Sequence, residues 1–187
     1  MTANPPRQPL CALPDETLML RVAQQDRDAF TALVARHQDA VVNFFRRMGD
    51  YTHAEDLAQD TFVRLFKARR RYRPRAKFTT FLFLLARRTW IDHCRARERR
   101  KKAYDEIAQT AALQGPAGTD GLEDAKARAA AALDGLTDDM RTVVVMSIYQ
   151  GFKYREIAEI LGVPLGTVKT RMFHALRRLR ETLQHET

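Results

Sequence analysis

The sequence predicts an all-α protein of two small helical domains joined by a flexible linker. Three observations carry this expectation. Apolar residues recur at helical spacing through most of the chain, a Gly/Pro-containing acidic stretch interrupts them at residues 104–124, and residues 154–180 read as helix, tight turn, helix. The boundaries that follow are a loose proline-rich tail at 1–14, a first domain at 15–102, a linker at 103–122 and a second domain at 123–187.

In the first domain Asp15 is positioned to cap a helix over 16–25 that presents Leu18, Leu20 and Val22. A second cap near Asp26 opens a long helix marked by Phe30, Leu33, Val34, His37, Val41, Phe44 and Phe45, which ends near Met48-Gly49. His37 falls inside the apolar pattern and reads as a hydrogen-bonded core-edge histidine. A third helix, 53–70, buries Leu57, Phe62, Leu65 and Phe66 and concentrates Glu55, Asp56, Gln59 and Asp60 in its first half. Acid there complements the helix dipole, and in a chain this basic it also offers a surface to a basic protein partner. His53, Asp56 and Asp60 stand at metal-ligand spacings, but no second histidine lies nearby in sequence, so no metal or cofactor is expected.

A basic loop, Arg69 to Lys77 with Tyr72 as its one aromatic, leads into a long helix over 78–102. Its first half carries Phe78, Phe81, Leu82, Phe83, Leu84, Leu85, Trp90 and Ile91, and its second half becomes Arg-rich. Most of these apolar residues are core. One or two aromatics beside so many cations also suit stacking against unpaired bases.

The second domain opens with an alanine-rich helix over 122–133, ended by Gly135. Thr137 then caps a helix with Asp138 and Asp139 in its first turn and Met140, Val143, Val144, Met146 and Ile148 as its buried stripe. In the helix-turn-helix, Gly162, Val163 and Pro164 form the break. Beyond it Val168, Met172, Ala175, Leu176, Leu179 and Leu183 form an apolar stripe, and Thr167, Lys169, Thr170, Arg171, His174, Arg177, Arg178 and Arg180 lie largely off it. A helix with one packing face and one basic face, after a tight turn, is the arrangement that places side chains at base edges and cations at phosphates.

The totals agree. A formal charge of +9 with a pI near 10.0 favours a polyanionic partner. The longest apolar run, residues 81–86, is too short to span a bilayer, and the N-terminus lacks the pattern of a signal peptide, so a cytoplasmic protein without membrane insertion is expected. Cys11 and Cys94 are isolated and read as free thiols. No Gly-rich phosphate loop or nucleophile–base constellation marks an enzyme.

In order and spacing these segments resemble the extracytoplasmic-function (ECF) sigma factors, the small two-domain class of bacterial transcription initiation factors. The resemblance rests on Asp28 to Phe30, Ala54 to Phe62, Phe78 to Leu82 with Ala86 and Arg87, Asp92 with Arg95, Tyr154 to Ala158 and Gly166 to Lys169. It implies a region 2-like domain whose Glu55, Asp56, Gln59 and Asp60 dock on core RNA polymerase. It further implies that Tyr72, Arg73, Arg75, Lys77, Phe81, Arg88, Arg95 and Arg97 serve the minus-ten element and its melted non-template strand. A region 4-like domain would read the minus-thirty-five element of duplex promoter DNA with Thr167, Lys169, Thr170, Arg171, Phe173, His174 and Arg177. An anti-sigma factor is the further partner the family implies. Phe81 stands where the family commonly has Trp, Lys153 where it has a capping Ser or Thr, and His174 where Arg is frequent. A helix-turn-helix regulator and a sigma-like decoy for an anti-sigma protein are the alternative readings.

Overall fold

The computed structural model describes residues 9–74, 76–105 and 131–185, and among them every regular element is helical. The principal helices are α1 (Asp15–Ala23), α2 (Arg27–Arg47), α3 (Ala54–Ala68), α4 (Phe78–Asp105), α5 (Asp138–Val144), α6 (Tyr154–Leu161) and α7 (Leu165–His185). Arg75 and residues 106–130, which include most of the expected linker and of the expected alanine-rich helix, lie outside the described residues, whereas residues 103–105, expected to open the linker, continue α4. Residues 131–134 are helical and lead into Gly135.

Helices α1–α4 pack around Leu18, Met19, Val22, Leu33, Phe44, Phe45, Leu65, Phe78 and Leu82, all buried. On α1 it is Met19, not Leu20, that turns inward with Leu18 and Val22. Asp26 caps α2 by accepting from the Ala29 N–H at 3.0 Å. Asp15 does not cap α1, which starts behind Pro14 without a side-chain cap. Its carboxylate instead accepts from Arg36 and lies 2.8 Å from His37 Nε2, pinning α1 to α2. A charge-assisted bond outweighs a bond to a neutral N–H, which accounts for the difference.

Between α2 and α3, Asp50 is a buried hub. Oδ1 accepts from the His53 backbone N–H at 2.8 Å and lies 2.9 Å from His53 Nδ1, while Oδ2 lies 2.7 Å from His93 Nε2 on α4. Burial pushes the Asp50 carboxyl up, but the bonds from His53 and His93 outweigh it and hold the group below its ordinary value.

In the C-terminal half Thr137 caps α5 as expected, accepting from Met140 N–H at 3.4 Å. The chain then widens into a π turn over Val145–Tyr149. The wider turn breaks the α-helical register, so Met146 stays buried while Ile148 is 57% exposed rather than part of the core stripe. Helix α6 ends at Gly162, whose φ of 65° permits the left-handed cap and lets Val163 N–H reach Ala158 O at 3.1 Å. At its start Lys153 has no acceptor to offer, but Glu156 makes the reciprocal half of a capping box by accepting from the Lys153 N–H at 2.8 Å.

The two halves share one buried cluster. Phe83 of α4 lies edge-on to Phe44 at 5.6 Å and to Phe152, before α6, at 5.1 Å. Arg141 of α5 donates through Nη1 to Met48 O at 2.7 Å and through Nε to Leu133 O at 2.9 Å. Gly49, with φ of 101°, is what lets that guanidinium in, because a Cβ there would collide with it. Trp90 Nε1 donates to Asp138 at 3.1 Å, Gln150 to Ala40 O at 3.2 Å, and Lys77 pairs with Glu156 at 2.8 Å.

Candidate nucleic-acid interface

Helix α7 is divided as its sequence periodicity demands. Val168, Met172 and Ala175 are buried, and Leu179 is half-buried against the core. Leu176 departs from the expected stripe and is 47% exposed. On the outer side Lys169, Thr170 and Arg177 are exposed and Phe173 is 64% exposed, with His174 edge-on to it at 5.5 Å. Thr167 and His174 are half-buried. A contiguous surface of two cations, a hydroxyl and a bare aromatic ring is suited to the donors, acceptors and methyl groups of a major groove.

Arg171 is not free to join that surface in this arrangement. Its guanidinium pairs with Asp139, whose other oxygen lies 3.3 Å from Arg87 of α4. One carboxylate of α5 therefore holds a cation from each half of the molecule.

The sequence-predicted residues around the start of α4 fall into two groups. Arg73 of the entry loop and Arg88, Arg95 and Arg97 of α4 are exposed. Tyr72 is only 4% exposed, packed against Phe78 at 6.3 Å and Phe81 at 5.3 Å. Burial, with the Glu16 and Asp15 carboxylates adding to it, pushes its hydroxyl up to about 12. Phe81 is half-buried, and Lys77 is occupied by Glu156. Arg75 lies outside the described residues.

On the far side of the first half, Glu55, Asp56, Gln59 and Asp60 project from α3 and all are exposed. Glu55 accepts from Arg46 at 3.1 Å across a groove between α2 and α3 that Val34, Val42 and Phe62 help to line. The groove's lining is mixed, with Gln38, Asp39, Asn43 and Gln59 beside those apolar residues, and the acidic face of α3 is opposite in charge to the exposed cations of α4 and α7.

Comparison with known proteins follows this division. The family model for Sigma-70 region 2 matches residues 33–100, and that for Sigma-70, region 4 matches residues 126–179. The chain belongs to the sigma-70 family. It is similar to the ECF RNA polymerase sigma-E factor of Escherichia coli, with 28% identity over 92% of this chain and 95% of that protein. It also superposes on the solved structure of CnrH in complex with the cytosolic domain of CnrY, with a TM-score of 0.73 and 26% identity over 92% of this chain and 99% of the other. For the sigma factor RpoE in complex with the anti-sigma factor NepR from Bartonella quintana, the TM-score is 0.68 and the identity 26%, over 83% and 96% of the two chains.

This sigma factor thus carries its acidic α3 face in region 2 and its basic α7 face in region 4. The contacts between the two regions escaped the sequence reading. Arg141 reaches a carbonyl 93 residues away and Gln150 one 110 residues away, and no local pattern marks such partners.

Proposed function

We propose that this alternative sigma factor docks on core RNA polymerase through Glu55, Asp56, Gln59 and Asp60 and directs promoter melting without catalysis of its own, in the cytoplasm. The entry loop and start of α4, with Tyr72, Arg73, Arg75, Lys77, Phe81, Arg88, Arg95 and Arg97, are assigned to the minus-ten element and its non-template strand. Thr167, Lys169, Thr170, Arg171, Phe173, His174 and Arg177 are assigned to the minus-thirty-five element. The four-part division at residues 14, 102 and 122 is retained as an organisation, with α4 running on to Asp105. The observation that carries the reading is the pairing of the exposed, polar outer face of α7 with an exposed acidic α3 in a chain matched by both region models.

The arrangement described is a closed one. Promoter elements at minus ten and minus thirty-five lie roughly 25 base pairs apart, or about 85 Å of B-form helix. Lys77 and Glu156, one from each half, are 2.8 Å apart. Region 4 must therefore leave region 2 before both elements are read together. The stretch from 105 to 131 has a contour length of about 90 Å when extended, which is enough to permit that separation.

An anti-sigma partner that favours the closed form is part of the same proposal, supported by the likeness to RpoE, which is in complex with the anti-sigma factor NepR. Promoter-dependent run-off transcription with core polymerase tests the whole reading.

A further inference from the structure

Two histidines and a carboxylate converge where α2, α3 and α4 meet. Asp50 is contributed by the turn after α2, His53 by the residue that precedes α3, and His93 by the middle of α4. One ligand-capable atom from each lies within 4.8 Å of the others. Asp50 and His93 are nearly buried, with side chains 8% and 10% exposed, whereas the His53 side chain is 53% exposed. His93 is held in place by Trp90, whose ring stacks on it at 5.9 Å and an interplanar angle of 29°. Trp90 is itself anchored through Nε1 to Asp138.

We propose that Asp50, His53 and His93 form a binding site for a late first-row divalent cation of the Zn²⁺ class. Two imidazoles and one carboxylate are a recurrent zinc donor set, and the solvent-facing side at His53 leaves a fourth position for water. With bonds of about 2.0–2.1 Å to the metal, tetrahedral donors stand roughly 3.3 Å apart. Asp50 Oδ2 lies 3.2 Å from His53 Nδ1, already close to that spacing, and 2.7 Å from His93 Nε2, a separation that must open by roughly 0.6 Å. To hold the ion, each imidazole presents an unprotonated ring nitrogen to it and carries its proton on the other nitrogen. The consequence is mechanical. The cation ties the start of α3, with its acidic face, to α4, beside the Gly49 turn on which Arg141 of the other half rests. The site stands independently of the promoter-reading assignments.

The test uses the full-length, chelator-treated protein and Co²⁺ as a probe, read by its visible absorption and by quenching of Trp90, the only tryptophan in the chain. One equivalent of Co²⁺ is expected to quench Trp90 saturably and to be displaced by Zn²⁺. Loss of an inner ligand exceeds the roughly 10–100-fold cost of losing an outer-shell partner, so His53→Ala should weaken binding at least tenfold. His53 is exposed and the variant should fold, as circular dichroism will report; His93→Gln provides a second variant. Absence of saturable Trp90 quenching in the wild type would overturn the site. So would His53→Ala and His93→Gln binding Co²⁺ as the wild type does, which would place the ion elsewhere and leave the triad as hydrogen bonding alone.

Discussion

Lys77 Nζ lies 2.8 Å from Glu156 Oε1, joining the residue just before α4 to the first helix of the helix-turn-helix. The same carboxylate caps α6 through the Lys153 N–H, so a single side chain both shapes the DNA reader and holds it closed against region 2.

Because the Lys77 side chain is largely exposed, the pair contributes only about 0.2–1 kcal/mol to closure. Lys77→Ala should therefore shift the balance between closed and open forms by no more than about fivefold. Distance measurements between labels on α3 and α7 will read that shift. Glu156→Gln should act more strongly, since it also weakens the cap.

The pair carries a pH dependence of known sign. The side-chain bond from Lys77, then the backbone bond from Lys153, hold the Glu156 carboxyl below its ordinary value of 4.5. A carboxyl lowered on folding adds stability that is complete above its unfolded pKa and is lost as pH falls through the folded one. The stability difference between wild type and Glu156→Gln should be constant near neutrality and shrink below pH 4.5. Thermal unfolding across that range checks it.

The joint at Gly49 is less forgiving. Its φ of 101° disfavours any side chain, and a Cβ would strike the Arg141 guanidinium. Gly49→Ala should cost about 1–3 kcal/mol. Part of the loss should disappear in an Arg141→Ala background, where only the backbone strain remains. A double-mutant cycle by denaturant unfolding separates the two.

The cysteines should differ in reactivity. Burial pushes the Cys94 thiol up to about 11, with the Asp138 carboxylate beside it acting the same way, whereas Cys11 is exposed. At pH 8 a thiol reagent should label Cys11 first and Cys94 only slowly, with mass spectrometry giving the order. The thiolate is the reactive species, and at Cys94 it is scarce.

The polymerase and promoter faces should separate by mutation. Lys169→Ala with Thr170→Ala should weaken upstream DNA recognition by about 1–3 kcal/mol while leaving core binding intact. Gln59→Ala with Asp60→Ala should do the reverse. Fluorescence anisotropy with promoter DNA and co-purification with core polymerase distinguish the two effects.

Local chemistry made much of this molecule readable from its sequence. The caps at Asp26 and Thr137, the Gly162 break and the buried stripe of Val168, Met172 and Ala175 each follow from residues a few positions apart. Asp15 was misread because its partners Arg36 and His37 are 21 and 22 residues away. Ile148 was misread because a π turn shifts the helical register. His53 gained a histidine neighbour only through folding, since His93 meets Asp50 across 43 residues. The closure of region 4 onto region 2 depends on equally distant pairs, Met48 with Arg141 and Phe83 with Phe152, which periodicity does not encode.

Run-off transcription is the most direct measurement of the central claim. Core polymerase supplemented with this protein should initiate at a discrete set of promoters in a genomic library that core alone ignores. Failure to initiate at any of them, with the protein folded and bound to core, would contradict the account.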